Sequence, residues 1–161
     1  MIRKKIDTEN TLIRTKDFPS ILSSQSGHRV LLGIGGNIGD VVRRFEHLFY
    51  YFKRSSLLRV IETAPIVKNP PFGYENQDDF LNAIMVFKTS MQPKEFLRYL
   101  LRVEKRFGRK RSFPNAPRTL DLDIIFFDNR NINTKDLQIP HPPSCCRHKA
   151  HSLHPALRKP R

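Results

Sequence analysis

Asp121 and Asp123 stand two residues apart within the apolar run Leu120 to Phe127. Residues two apart in a strand share a face, so both carboxylates project together while Leu122 and Ile124 fill the opposite one. Their Cβ atoms then lie about 6–7 Å apart. Two like charges so placed are costly unless something cationic lies between them. A hard divalent ion with oxygen ligands, such as Mg²⁺ that also binds phosphates, is the natural occupant. The alternative is a structural cluster in which both pair with Arg118 and another arginine. Just upstream, Pro93 to Arg111 holds eight basic and two acidic residues. Arg109, Lys110, Arg111 and Arg118 flank a loop containing Pro114 and Pro117. Arginine forks match phosphate oxygens in a bidentate way. An arginine-bearing loop opposite paired carboxylates has the layout of a phosphoryl-transfer site. A solvated helix face is the plainer reading of the charge run.

Other polar residues are less specific. Glu104 falls on the apolar stripe of a helix beside the basic loop, where it could pair with Arg109 or Lys105. Asn82 is the lone polar residue in the apolar run Phe80 to Phe87. A buried amide needs partners, either within the protein or along the edge of a heteroaromatic ring. Gly33, Gly35, Gly36 and Gly39 form a glycine-rich turn, but Ile38 stands where a dinucleotide fingerprint needs its third glycine. No Gly-Lys-Ser/Thr follows, so it is not a phosphate-binding P-loop either. What remains is a strand-to-helix turn that lets a chain segment or flat ligand approach the backbone.

The elements that must position these groups can be read from period and punctuation. Arg29 to Leu32 enters the glycine turn as a strand, and Asp40 can cap a helix carrying Val41, Phe45, Leu48, Phe49 and Phe52 at threes and fours. Leu57 to Ile61 is a second strand, followed by a loop rich in Pro and Asn. Phe80 to Phe87 is a third, nearly continuous in apolar residues. Pro93 opens a second helix, whose stripe is Phe96, Leu97, Leu100, Leu101 and Phe107. Gly108 ends it. Leu120 to Phe127 is the fourth strand. The order predicts an α+β fold, a ferredoxin-like β-α-β-β-α-β sandwich with an antiparallel-rich sheet and both helices on one face.

The whole chain has 161 residues, 29 Lys and Arg against 15 Asp and Glu, and a formal charge of +14. Twelve Phe exclude a disordered chain. No run approaches the eighteen apolar residues of a membrane span, and no stretch resembles a secretory signal. Cys145 and Cys146 are adjacent, which does not suggest an extracellular disulfide framework. The expectation is a cytoplasmic protein with an anionic partner. The charge divides unevenly: +2 in residues 1–28, +7 in 29–140 and +5 in 141–161. Residues 1–28 lack a sustained period and end in Ser and Gly, so they read as a poorly ordered basic extension. Residues 29–142 form the domain. Residues 143–161 read as an atypical basic tail that need not fold, and a zinc site from Cys145, Cys146, His148, His151 and His154 is disfavoured by its spacing.

Gly35-Gly36-Asn37-Ile38-Gly39, Glu62 to Pro65, Asp79 to Ala83, Glu104 with Gly108 to Arg111, Ala116 to Ile124, and Ile139 to Pro142 follow in order. Together they resemble the 6-hydroxymethyl-7,8-dihydropterin pyrophosphokinase family over about residues 29–147, with Pro117 to Ile124 the most specific segment. The resemblance implies transfer of pyrophosphate from ATP to the pterin's hydroxymethyl oxygen, releasing AMP, in folate biosynthesis. It implies two Mg²⁺ held by Asp121 and Asp123. Arg109, Arg111, Arg118, His141 and Arg147, with Glu104, would serve the ATP phosphates, and Ile124 would line the adenine site. Thr63, Ala64, Pro65, Ile66, Phe80 and Asn82 would bind the pterin. The implied enzyme is a monomer acting on small molecules, with no membrane or nucleic-acid partner. Gly36 stands where the family usually has Ser, and the loop between Arg111 and Arg118 lacks the family's frequent Trp. After Pro142 the family's final strand and pterin-stacking aromatic are not matched, which suggests a changed reading frame or truncation there. The competing readings are an impaired family member that still binds ATP, and a small basic RNA-binding module. The second expects a Lys/Arg-Gly-Phe motif that the sequence lacks.

Overall fold

The computed structural model describes residues 1–21, 27–71, 73–110, 113 and 115–142. Along them run β1 (Ile2–Lys5), β2 (Thr11–Arg14), β3 (Ser20–Ile21), β4 (His28–Gly36), α1 (Val41–Lys53), β5 (Leu58–Thr63), β6 (Ile66–Asn69), β7 (Phe80–Thr89), α2 (Pro93–Arg106), β8 (Asp121–Phe127), β9 (Ile132–Asn133) and β10 (Gln138–Ile139). β4 is the axis of an eight-stranded sheet, with β7 and β8 antiparallel on its two sides. The far edge of β7 pairs with β6 through Phe80–Asn82 and with β5 through Met85–Thr89. β2 and then β1 extend the sheet beyond β6, and β3 pairs with β5. β9 and β10 form a separate two-stranded ladder. The architecture is α+β, with a mostly antiparallel sheet and two helices.

Local chemistry explains both helices. The Asp40 carboxylate accepts the Arg43 N–H at 3.0 Å and caps α1, whose Val41, Phe45, Leu48, Phe49 and Phe52 are all buried as their spacing predicts. Pro93 opens α2, and Glu95 reaches back to the Gln92 N–H at 2.9 Å. The buried stripe of α2 differs from the predicted one. Tyr99 and Val103 are buried, while Leu101 is 41% exposed. A 3.6-residue period starting at Phe96 passes through 99, 100, 103 and 107 and leaves 101 on the outer flank.

Both helices bury this face against Val30, Leu32, Ile34, Ala83, Met85, Phe87, Leu122, Ile124 and Phe127. Seven phenylalanines are fully buried, among them Phe52 against Phe87 with centroids 5.0 Å apart. Each contributes about 2–3 kcal/mol by leaving water. A smaller cluster of Leu31, Ala64, Ile84, Val86 and Ile125 occupies the other face of the sheet.

Residues 1–21 carry short strands ahead of β4. They supply three strands to the sheet, and Ile13 and Phe18 are 3% and 0% exposed. Strands of four, four and two residues are too short to display an alternating pattern, so the sequence carries no period to read.

Candidate active site

Cross-strand pairing turns the sequence motifs into rows on the sheet face away from the helices. One row runs Asn82, Gly35, Asp121 and the next runs Ile84, Gly33, Asp123. The middle strand contributes no side chain to either row. Asn82 and Asp121 therefore face each other across about 10 Å, two interstrand spacings. A Cβ at Gly35 would lie 2.9 Å from the Asn82 Oδ1, so only glycine leaves this floor open. Period two along β8 sets the two aspartates side by side, as the spacing predicts.

Asp121 is held from both sides. Arg109 Nη1 donates to one carboxylate oxygen at 2.5 Å and Arg118 Nη1 to the other at 2.8 Å. Arg109 also donates to the Leu120 carbonyl at 2.8 Å, while its buried Nε finds no acceptor among the described residues. An orphaned buried guanidinium donor is a place where an anionic oxygen is favourable. Asp123 has His141 Nε2 at 3.6 Å, and the His141 N–H is tied to the Ile125 carbonyl at 3.1 Å. Glu104 is 3% exposed, and its carboxylate accepts the Leu122 N–H at 2.8 Å. It thus fixes the start of β8 between the two aspartates.

On the opposite bank, the Asn82 amide donates to the Asn69 side chain at 2.8 Å. The Phe80 ring lies under the Arg118 guanidinium at 5.3 Å, which links this bank to the arginine loop. Thr63, Ala64 and Ile66 are buried and Pro65 half-buried at the bend between β5 and β6. Ile66 points into the main core and Ala64 into the smaller one, so this bend offers backbone rather than side chains. Ile124 follows Asp123 on β8. It packs in the main core at 3% exposure, because alternate residues of β8 face opposite sides of the sheet. Arg111, Arg147 and the whole 143–161 segment with Cys145, Cys146, His148, His151 and His154 lie outside the described residues.

Sequence reasoning passed over Asn37, which is 5% exposed and joins three segments. Its side-chain oxygen accepts the Arg118 N–H at 2.9 Å, and its own N–H donates to the Arg118 carbonyl at 3.0 Å. Its amide nitrogen donates to Gln77 Oε1 at 2.9 Å and to the Asp78 carbonyl at 3.0 Å. Gln77 in turn donates to the Asn115 carbonyl at 3.1 Å. Tyr74 and Phe113, both exposed, meet edge to face at 5.5 Å. Tyr74 and Gln77 are thus tied to Phe113 and Asn115, and through Asn37 to Arg118. An amide standing alone among glycines after an apolar strand was the available signal, since such a group must find partners.

Two carboxylates on one strand face suit Mg²⁺, which needs one or two such ligands when phosphates and water complete its shell. Among the described residues no group of three or more His, Cys, Asp or Glu is arranged to hold a metal alone. Each Asp121 oxygen accepts from one arginine and keeps a second acceptor site, so a cation meeting that carboxylate would sit beside a guanidinium.

The sequence profile described as 7,8-dihydro-6-hydroxymethylpterin-pyrophosphokinase matches residues 31–158, further into the terminal segment than the motifs alone suggest. The chain is 40% identical over 135 residues to the 2-amino-4-hydroxy-6-hydroxymethyldihydropteridine pyrophosphokinase of Helicobacter pylori, covering 81% of this chain and 83% of that one. It is 39% identical over 111 residues to the Campylobacter jejuni protein of the same name, covering 69% and 71%. The Aquifex aeolicus protein of that name is 36% identical over 114 residues, covering 70% and 69%. With a match across most of its length and relatives covered over most of theirs, the chain belongs to the 7,8-dihydro-6-hydroxymethylpterin-pyrophosphokinase family.

Proposed function

We propose that this chain transfers a pyrophosphoryl group from ATP to the hydroxymethyl oxygen of 6-hydroxymethyl-7,8-dihydropterin. That oxygen attacks the β-phosphorus, the bond from that phosphorus to the α,β-bridging oxygen breaks, and AMP leaves. The observation that carries the reading is the Arg109–Asp121–Arg118 cluster beside Asp123, facing Asn82 across a glycine floor. Asp121 and Asp123 would hold two Mg²⁺ ions, whose chemistry is to offset charge on the ATP phosphates. Arg109 and Arg118 exchange carboxylate oxygens for phosphate oxygens as the nucleotide enters, so their positive charge follows the transferring group. Arg111, His141, Arg147 and Glu104 complete the ATP subsite, with the backbone at Ile124 beside the base. The Asn82 amide reads the edge of the pterin ring, Phe80 packs on its face, and the backbone of Thr63 to Ile66 closes the pocket's end. The segments tied through Asn37 exclude water from the reaction.

In this reading the β5-β7-β4-β8 sheet with α1 and α2 is the ferredoxin-like unit, and the enzyme is a cytoplasmic monomer of body 29–142 with tail 143–161. Calorimetry with Mg²⁺ and α,β-methylene-ATP, followed by the pterin, tests the reading. Ordered nucleotide-then-pterin binding is expected with the analogue and AMP release with ATP itself, and Asp123→Ala abolishes that turnover. Nucleotide binding with no pterin binding overturns the reading in favour of an impaired family member. An active Asp123→Ala variant overturns the metal assignment.

A further inference from the structure

The family profile begins at residue 31, and among the described residues before β4 the strands attach to the main sheet at β5 and β6. β2 pairs with β6 through Thr11–Lys68, Leu12–Val67 and Ile13–Ile66. β3 pairs with β5 through Ser20–Thr63 and Ile21–Glu62. The two ladders bracket the bend at Ala64 and Pro65. The inner side of that bend is stitched to β7 by Ala64 N–H to the Ile84 carbonyl at 2.9 Å and by the Val67–Asn82 pair. Without residues 11–21 its outer side would be an open edge of two short strands, free to flex.

One buried contact locks the bracket. The Thr63 hydroxyl, on a residue 1% exposed, donates to the Asp17 carbonyl at 2.6 Å. The next residue, Phe18, is fully buried between Phe45 and Phe49 of α1, at 6.3 and 6.2 Å. Thr15 N–H to the Phe18 carbonyl at 2.9 Å closes the turn between them. The Asp17 carbonyl is therefore held by an aromatic anchor in the main core, and Thr63 is held by that carbonyl.

We propose that Thr11–Ile21 is a positioning element for the heteroaromatic substrate, fixing the Thr63–Ile66 backbone through the Thr63–Asp17 hydrogen bond. The inference rests on the pyrophosphokinase reading, which assigns that bend to the pterin. The segment pairs with neither β4 nor β8, the strands of the glycine floor and the aspartates. Its effect is accordingly selective for the pterin over the nucleotide. An isosteric loss of the donor leaves a buried carbonyl unpaired and loosens the bend.

The test is calorimetry on the full chain with Mg²⁺ and α,β-methylene-ATP, then with 6-hydroxymethyl-7,8-dihydropterin. Thr63→Val weakens pterin binding tenfold or more and leaves nucleotide binding within twofold, whereas Thr63→Ser restores the pterin affinity. Phe18→Leu, which shifts the anchor while keeping it apolar, reproduces the selective loss and serves if Thr63→Val does not fold by near-UV circular dichroism. Equal pterin affinity in wild type, Thr63→Val and Phe18→Leu overturns the inference alone, as does a parallel loss of both ligands. A wild-type chain that binds nucleotide and no pterin overturns the pyrophosphokinase reading and the inference with it.

Discussion

Asp121 carries two arginines because its neighbours on the floor carry nothing. With glycine opposite, no side chain competes for the space, and Arg109 and Arg118 converge from the two ends of one loop. Replacing either by Ala is expected to lower kcat by about 10²-fold or more, as for other donors to developing charge, with the fold intact by circular dichroism. Lysine at 118 restores only part, since it supplies charge without the fork. Glu104 is a different case: its carboxylate accepts the Leu122 N–H inside the core. Glu104→Ala orphans that donor and costs about 2 kcal/mol in urea unfolding, and Gln, which keeps an accepting oxygen, recovers part. The two aspartates were legible because period two needs no tertiary information. Pairing with Arg118 and a second arginine was open as the structural alternative, but that both would fall on Asp121, and that Asp123 would meet a histidine eighteen residues further on, was not legible.

The glycine turn after β4 shows what an element tolerates. A Cβ at Gly36 would sit 2.6 Å from the Thr119 carbonyl oxygen, which is backbone and cannot swing aside. Gly36→Ser, although it restores the residue more usual in the family, is therefore expected to cost about 1–3 kcal/mol by thermal melting. The end of β8 offers a pH-dependent test. Asp128, at φ 47°, accepts the Arg29 N–H and the His28 ring, each at 2.7 Å. Burial pushes its carboxyl up, but these hydrogen bonds outweigh it and hold the pKa below its ordinary value. A depressed carboxylate stabilises fully above about pH 4 and loses that contribution as pH falls through its folded-state pKa. Asp128→Asn keeps the backbone conformation accessible. It should cost about 0.5–1 kcal/mol at pH 6, a gap that narrows by pH 3. Helix α1 was read residue for residue from its spacing, whereas in α2 Leu97 packs against the core as read and Leu101, apolar but exposed, lies off the seam.

At the scale of the whole molecule, the charge of +14 is divided between the body and the two ends of the chain. Arg109 and Arg118 meet one carboxylate at the site, and the exposed aromatics Tyr74 and Phe113 sit in loops against each other rather than on a sheet face. Among the described residues no helix is long and apolar enough to cross a membrane. The N-terminal segment, by contrast, gained importance. Phe18→Ala empties a fully buried ring position and should cost about 3–5 kcal/mol in thermal or urea unfolding, as much as any phenylalanine of the sandwich. By itself the sequence determined the order of the central strands and helices, the shared face of Asp121 and Asp123, and the family. These depend on period, capping and motif, all local along the chain. Only the tertiary structure decided that Asn37 would tie three segments and that residues 11–21 would bracket Thr63 to Ile66. Each of those depends on which distant backbone groups lie within hydrogen-bonding reach, and strands of two to four residues leave no periodic trace of their partners.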